Sequence, residues 1–377
     1  MKFKKIVLKA FKRVQEKLKD RLLTKTLKQA VSCERNPESG RQFERTFETQ
    51  WFFFSHSIFP KRNIWAVNID LLLKDYRHYG HQDFEILSEI GNGGSAAVYA
   101  AYWKKTPTKF AIKKIKKIID ISTEKDIINE INLMKIVEFH PNIITFWGVI
   151  KSEMNYSLVL EYADGGTLGK YLENTITLKS EVQLKFAKEI ASAILCLHAN
   201  DIIHRDIHPN NILIHELTIK LADFGRSCLQ GSDVDTGVFG VIPYVDPKML
   251  DPKIPYNLSK KSDIYSMGVI FWQLTSCSSP FNFEKRDYTS ITLDILNGAR
   301  EESISNTNVK FIKLYQQCWR HEPDERPDAD QVVLELNKID SENNFDFEKS
   351  ENEIKITKEL KSEEIKDDFS DCHLLNY

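Results

Sequence analysis

The chain has 377 residues, of which 42% are hydrophobic and 28% are charged, and its formal net charge is only −2. This composition is typical of a soluble globular protein with one large or two medium domains plus tails. No run of about 18 apolar residues occurs, so we expect neither a membrane-spanning helix nor a secretory signal. The six cysteines lie far apart without a C-x-x-C pair, which argues against a disulfide framework and a zinc site. These features predict reduced thiols and a cytoplasmic protein.

The charge is distributed unevenly along the chain. Residues 1–31 carry eleven Lys and Arg against two acidic residues, which leaves a formal charge of +9. Apolar residues recur there at spacings of four and three, as in a basic amphipathic helix: Phe3, Val7, Phe11, Val14, Leu18 and Leu22. Such a helix could attach to an anionic membrane surface or an acidic partner, or it could be a solvated helix or frayed tail. Nothing indicates nucleic-acid binding.

Two other segments flank the central part of the chain. Residues 32–81 begin with turn-forming residues and continue as an aromatic-rich extension, so we interpret them as a linker and a segment that packs against the following domain. Residues 339–377 are acidic and contain few apolar residues, which predicts a disordered tail.

The domain begins with a strand, a glycine-rich loop and two further strands. Phe84 to Ile90 alternates apolar and polar residues like a half-buried strand, and a second β-like run ends at Trp103. Glycines between two strands let the backbone close over phosphates, although a plain hairpin has the same pattern. A third apolar strand ends at Lys113.

Helices then alternate with apolar runs. Residues 123–137 have helical periodicity and include Glu130, and the strand-like run Ser157–Ala163 ends before Asp164-Gly165-Gly166. A later stripe of apolar residues at helical spacing is interpreted as core.

The densest polar chemistry lies between residues 201 and 225. Asp206 and Asn211 lie in a loop between two apolar runs, and Asp223-Phe224-Gly225 follows the second run. Carboxylates and an amide at this spacing can hold metal ions and orient a hydroxyl.

These motifs resemble the H-R-D-x-x-x-x-N loop and the D-F-G motif of eukaryotic protein kinases. The resemblance covers residues 82–338, and Cys318-Trp319 with Arg326-Pro327 is similar to the tyrosine-kinase-like group. It implies an α+β, bilobal protein kinase-like fold. Residues 82–163 would form a small β-rich N-lobe with one regulatory helix and the hinge, and residues 164–338 a larger, mainly helical C-lobe.

The resemblance also implies roles for individual residues. Asp206 would accept the proton of the substrate hydroxyl, and Asn211 and Asp223 would hold Mg²⁺. Lys113 would bind the α- and β-phosphates of ATP, and Glu130 would hold Lys113. Glu124 is the alternative partner. Leu160 would be the gatekeeper, and backbone groups of Glu161 and Ala163 would bind adenine. The remaining nucleotide-contact candidates are Gly91, Gly93, Gly94, Val98, Ala111 and Leu213.

The implied function is transfer of the ATP γ-phosphate to a protein hydroxyl, of Ser or Thr by preference. A pseudokinase usually lacks the strand lysine, the loop aspartate or the D-F-G aspartate. This chain has all three, Lys113, Asp206 and Asp223, which favours an active enzyme over a nucleotide-binding pseudokinase scaffold. His208 and Val241 replace residues common in Ser/Thr kinases, so tyrosine or dual specificity stays open. Ala96 replaces the third glycine of the loop and would add a methyl group over the phosphates.

Two hypotheses concern the activation segment. Arg205 directly precedes the loop aspartate, and in the family an arginine at this position binds a phosphate on the activation loop. Our candidate phosphorylation sites are Thr236, then Ser232 and Ser227. Lys248 stands where the family has the glutamate that pairs with the counterpart of Arg326. We expect a nearby acid to take Arg326 while Lys248 points to solvent, with Asp246 first and Glu322 or Glu325 as alternatives.

Overall fold

The computed structural model describes residues 77–94, 96–116, 121–151, 156–232, 240–251, 256 and 258–340, without the side chains of residues 121–124. The predictions for residues 1–76 and 341–377 lie outside the described residues. So do Thr236 and the side chain of Glu124, the alternative partner of Lys113.

The small lobe is built on one six-stranded sheet with the order β1-β5-β6-β4-β3-β2. β1 is parallel to β5 and the other pairings are antiparallel. The strands are β1 His78–Tyr79, β2 Phe84–Asn92, β3 Ala96–Trp103, β4 Lys109–Ile115, β5 Phe146–Lys151 and β6 Tyr156–Glu161. Because β1 pairs with β5, the sheet begins before the predicted boundary at residue 82.

One helix packs with this sheet. It is α1, Ile121–Val137, and it carries Glu130 on a buried face with Ile127, Ile131 and Met134. Its period of 3.6 residues brings these positions to one side of the helix. The predicted regulatory helix is confirmed and starts two residues before the predicted bound.

The prediction that β2 is half-buried is wrong. Phe84 is buried, but Ile86, Leu87 and Ile90 expose more than 40% of their surface. The physical reason is that β2 is the edge strand of the sheet, so its alternation does not imply a covered face.

The large lobe is mainly helical. Its helices are α2 Leu168–Glu173, α3 Ser180–Ala199, α4 Pro247–Leu250, α5 Lys260–Ser276, α6 Tyr288–Leu296, α7 Val309–Cys318 and α8, residues 329–340. Short strands carry the polar loops: β7 Ile202–Ile203, β8 Ile212–His215, β9 Thr218–Leu221 and β10 Cys228–Leu229. α5 is buried along nearly its whole length and packs with α3 and α7. The predicted α+β bilobal fold is confirmed.

The described part of the chain contains no helix with the length and apolar character that crossing a membrane requires.

Candidate active site

Lys113 joins the two lobes through two carboxylates. Its Nζ lies 2.7 Å from Glu130 Oε1 on α1 and 2.9 Å from Asp223 Oδ1 in the large lobe. The sequence prediction that Glu130 is its partner is therefore confirmed. Asp223 lies 110 residues from Lys113, and only the fold brings it within the same bond network.

Lys113 and the two carboxylates shift each other's pKa values. Burial alone would lower the pKa of Lys113, but Glu130 and Asp223 outweigh it and raise the pKa above its ordinary value. Burial would raise the pKa of Asp223, but the Lys113 ammonium and the Gly225 N–H hold that pKa below its ordinary value. A fixed ammonium and an ionised carboxylate therefore meet at the cleft.

The register of the sheet aligns the predicted nucleotide-contact residues. Gly91 lies opposite Val98, and Val98 lies opposite Lys113 on the next strand. Ala111, two residues before Lys113, lies opposite Leu160. Since alternate residues of a strand point to opposite faces, Ala111 and Lys113 share the face toward the cleft.

The glycine-rich loop is a tight turn between β2 and β3. The Gly93 N–H donates to the Ala96 carbonyl oxygen at 2.9 Å, and Lys116 Nζ donates to the Gly93 carbonyl oxygen at 2.5 Å. Gly94 has open space on its side-chain position. Ala96 is buried at the first position of β3.

The segment after β6 is held by the side chain of Glu161. Its carboxylate accepts the Thr145 N–H and hydroxyl and pairs with Lys220 at 2.9 Å. The N–H of Glu161 donates to the Thr145 carbonyl oxygen, so this N–H is already engaged within the protein.

Two further predicted contacts follow this segment. Ala163 lies two residues after the end of β6 and is partly exposed. Leu213 on β8 forms a bridge with Thr167, at the start of α2, which brings it to the base of the same cleft.

Asp263 anchors the catalytic loop from beneath. Its Oδ2 accepts the His204 N–H at 2.9 Å and lies 2.9 Å from His198 Nε2, and its Oδ1 accepts the Arg205 N–H at 3.0 Å. Asp263 exposes 1% of its surface. Arg205 has φ of +71°, a costly conformation for a residue with a side chain, and the carboxylate fixes it.

His204 ties the catalytic loop to the D-F-G segment. Its ring is fully buried, with Nδ1 accepting the Asp206 N–H at 3.4 Å and Nε2 3.2 Å from the Ala222 carbonyl oxygen. A neutral ring protonated on Nε2 satisfies both contacts.

Asp206 lies where these elements meet. Arg226 Nε lies 3.5 Å from its Oδ2, and His208 Nε2 lies 3.6 Å from its Oδ1. Among the described residues, the buried Oδ1 has no hydrogen-bond partner. Gly240 has φ of +105°, and a Cβ there would lie 3.1 Å from this oxygen, so glycine keeps the approach to Asp206 open.

Asn211 and Asp223 fit a magnesium site. Asn211 Nδ2 donates to the Asp206 carbonyl oxygen at 2.8 Å, which leaves the amide oxygen as the group that can bind a cation. The Ala222 N–H donates to the Asn211 carbonyl oxygen at 2.9 Å and so places Asp223 beside this residue. Oxygen ligands from an amide and a carboxylate are those that Mg²⁺ prefers.

The activation segment is tied to the large lobe by Asp246. Arg326 Nη1 lies 2.7 Å from Asp246 Oδ2, Arg326 Nη2 lies 2.8 Å from Asp246 Oδ1, and both side chains are fully buried. The other three N–H groups of this guanidinium donate to the carbonyl oxygens of Arg320, Lys261 and His321. The prediction that Asp246 takes Arg326 is confirmed.

The expectation for Lys248 is wrong. Lys248 Nζ lies 2.6 Å from Glu322 Oε1 instead of pointing free into solvent. Glu322 exposes 55% of its side chain, so this is a surface pair. Asp246 occupies the buried position beside Arg326. Lys248, two residues later in the chain, pairs instead with Glu322.

Sequence reasoning missed several residues of this site. It assigned no role to Arg226, Gly240 or Asp263. An acid within the apolar run of α5 was the available signal for Asp263. Ser227, the third candidate phosphorylation site, exposes only 2% of its surface and donates its hydroxyl to the His204 carbonyl oxygen. It is not accessible to another kinase in this conformation.

The profile of the protein kinase domain family matches residues 84–338. The chain belongs to the protein kinase family.

Named protein kinases are similar to the chain. The putative serine/threonine-protein kinase/receptor R826 of Acanthamoeba polyphaga mimivirus is 33% identical over 283 residues, which cover 73% of this chain and 16% of that protein. Serine/threonine/tyrosine-protein kinase HT1 of Arabidopsis thaliana is 29% identical over 67% of this chain and 65% of that protein. Serine/threonine-protein kinase STY46 of the same plant is 27% identical over 74% of this chain and 46% of that protein.

The chain thus spans less than two thirds of the length of each of these relatives. The predicted resemblance to the protein kinase family is confirmed.

Proposed function

We propose that the protein is an active, ATP-dependent protein kinase that phosphorylates Ser and Thr side chains in intracellular signalling. This proposal rests on the buried Oδ1 of Asp206, which accepts no hydrogen bond from the residues that the structure describes. A buried acceptor without a donor is costly, and a substrate hydroxyl that donates to it would be oriented for attack. Asp206 would then accept the proton as the new phosphate ester forms.

Lys113, Asn211 and Asp223 are proposed to hold the nucleotide and the metal. Lys113 would bind the α- and β-phosphates, and Asn211 and Asp223 would hold Mg²⁺. The bound metal supplies positive charge that offsets the charge of the phosphates. Adenine would lie between Ala111 and Leu213, close to the backbone of Glu161 and Ala163.

The preassembled pair of Lys113 and Glu130 supports activity over the pseudokinase alternative. In that alternative the chain would bind nucleotide without transferring phosphate. Incubation of the full chain with radiolabelled ATP, Mg²⁺ and a degenerate peptide library tests this. Labelled phosphoserine or phosphothreonine is the expected product, and binding of ATP without any transfer would favour the scaffold.

Dual specificity is a second candidate. His208 and Val241 replace the residues common in Ser/Thr kinases. The similar protein HT1 is named a serine/threonine/tyrosine-protein kinase. Matched peptides that differ only in Ser, Thr or Tyr at the acceptor position distinguish Ser/Thr specificity from dual specificity. Comparable kcat/KM for the tyrosine peptide would favour dual specificity.

We further propose a cytoplasmic protein whose residues 1–31 meet an anionic surface. The formal charge of +9 and the amphipathic spacing of this segment support a membrane or acidic partner. Co-sedimentation of the full chain with phosphatidylserine vesicles should fall as salt rises. Equal binding to neutral vesicles, or no binding, would favour the solvated helix or tail.

A further inference from the structure

Five aromatic side chains form a connected cluster, here called the aromatic cluster, on the sheet face opposite to Lys113. They are Tyr79, Phe84, Trp103, Phe110 and Trp147. Their ring centroids are 5.3 to 6.4 Å apart in edge-to-face pairs. The sheet curls so that its two edges meet here, which brings Tyr79 of β1 against Phe84 of β2. Trp147 lies at the rim and exposes 49% of its surface.

The chain enters the domain at this cluster by a fixed path. The Arg77 carbonyl oxygen accepts the Val149 N–H at 3.1 Å, and His78 pairs with the same residue. Gly148 makes this possible: it has φ of +147°, and a Cβ there would lie 2.2 Å from the Arg77 carbonyl oxygen. Any side chain would block the approach. Arg77, whose guanidinium lies beside the Trp103 and Tyr79 rings, is therefore held at a fixed place at the edge of the aromatic cluster.

The rim of the aromatic cluster carries two cations and one hydrogen-bond donor without an acceptor among the described residues. The Arg77 guanidinium lies 4.5 Å from the Trp103 ring and 5.1 Å from the Tyr79 ring, and Lys105 Nζ lies 5.9 Å from the Trp103 ring. Trp103 Nε1 is buried and has no acceptor among the described residues. A buried N–H without an acceptor is costly, so an oxygen that accepts from Trp103 Nε1 would be stabilising, and an anionic oxygen would also suit the neighbouring cations. An apolar side chain would cover the exposed part of Trp147.

We propose that residues 64–76 of the same chain dock on the aromatic cluster, through Trp147 and Trp103. This segment ends next to Arg77. Its residues Trp65, Ile69, Leu72 and Tyr76 recur at intervals of four and three, the spacing that gathers side chains on one face of a helix.

Length and charge match as well. A helix of this segment would extend about 20 Å, enough to pass four strands that are about 4.8 Å apart. Asp70 and Asp75 supply carboxylates to the cationic rim. Attachment through Arg77 gives the segment a high effective concentration that a separate partner lacks. The docking does not depend on the proposed kinase activity.

Hydrogen exchange of the full chain, followed by mass spectrometry, tests the docking. Amides of residues 64–76 should exchange at least about ten-fold more slowly than in an unstructured peptide. Trp147→Asp should abolish this protection, while Trp147→Phe should retain it. The matched control is Ile176→Asp, because Ile176 is 93% exposed in the large lobe; it should leave the protection unchanged.

A photo-crosslinking amino acid at position 65 of the full chain gives an independent readout, in case Trp147→Asp loosens the sheet. Crosslinks to peptides containing Trp103 or Trp147 are expected. Rapid exchange of residues 64–76 in the unmodified chain, or protection unaffected by Trp147→Asp in a folded protein, would overturn the proposal. Crosslinks confined to other surfaces would do so too. Protection or crosslinks that grow with protein concentration would assign the cluster to a second copy and also overturn it.

Discussion

Arg326 and Asp246 form a bidentate ion pair across 80 residues of sequence, with both side chains fully buried. All five N–H donors of the guanidinium are satisfied, because three carbonyl oxygens complete the set. The planar fork of arginine matches a carboxylate in this way. The pair ties the activation segment to the large lobe in place of the glutamate that is typical of the family.

Removing Asp246 should destabilise the protein strongly. Asp246→Ala leaves the buried guanidinium without its counter-charge, and loss of one partner of a buried pair costs about 3–5 kcal/mol. The melting temperature, followed by circular dichroism, should fall by several degrees. Lys248→Ala is the matched control: its surface pair with Glu322 contributes under about 1 kcal/mol. Equal losses in the two variants would contradict the assignment.

Asp206→Asn should separate catalysis from nucleotide binding. The carboxylate orients the acceptor hydroxyl, and it lies outside the Lys113 triad, so ATP affinity should stay nearly unchanged. Turnover should fall about 10²-fold or more, as is usual for a general base. Steady-state kinetics with a Ser peptide and a separate ATP-binding titration measure the two effects. Wild-type turnover in this variant would show that Asp206 does not act as proposed.

Glu130→Gln should weaken the hold on Lys113 without unfolding the small lobe. The amide keeps the size of the carboxylate but removes the charge that lies 2.7 Å from Lys113 Nζ. Because Asp223 remains bonded to Lys113, we expect kcat/KM for ATP to fall about ten-fold, equivalent to 1.4 kcal/mol of transition-state stabilisation. A variant with unchanged kcat/KM would indicate that Asp223 alone positions the lysine. The melting temperature serves as the control for folding.

Phosphorylation of the activation segment should raise activity through Arg205. A phosphate near this arginine would form charge-assisted hydrogen bonds. Since Ser227 is buried, Thr236 and Ser232 remain the candidates. The double variant Ser232→Ala, Thr236→Ala should lose the activation that ATP preincubation gives the wild-type chain, and phosphopeptide mapping should find no phosphate on Ser227. Full activation of the double variant would exclude both sites.

The stability supplied by Asp263 should be lost in acid. Burial would raise its pKa, but hydrogen bonds from His198 and His204 lower it below the ordinary value of 3.8. Because the pKa of Asp263 is lower in the folded state, its contribution to the free energy of unfolding is complete above pH 3.8. That contribution disappears as the pH falls through the pKa of the folded state. Asp263→Asn should cost at least about 2 kcal/mol near neutral pH. In denaturant titrations the difference from wild type should shrink below about pH 4; a constant difference would argue against ionised Asp263.

Short-range motifs were sufficient to predict much of the candidate site. Lys113 lies on an apolar strand, which continues to Ile115 instead of ending at the lysine as the sequence predicted. Asp206 and Asn211 share one loop, and Glu130 lies on a helix of clear periodicity. Each of these follows from spacings within one or two elements, which sequence alone determines. The bilobal fold was implied by the resemblance of these motifs to those of protein kinases. Burial was harder to predict: the alternation in β2 gave no sign that this strand lies at an edge.

The remaining features depend on contacts between distant segments. The sequence ranked Asp246 first as the partner of Arg326, but only the folded chain shows that this pair is fully buried. Only the folded chain also shows that Arg226 lies beside Asp206 and that Ser227 is buried. Local spacing cannot show that an arginine and a carboxylate 80 residues apart are buried together, because this depends on whether the surrounding backbone can complete their hydrogen bonds. Sequence therefore determined which chemical groups are present, and tertiary packing decided which of them meet.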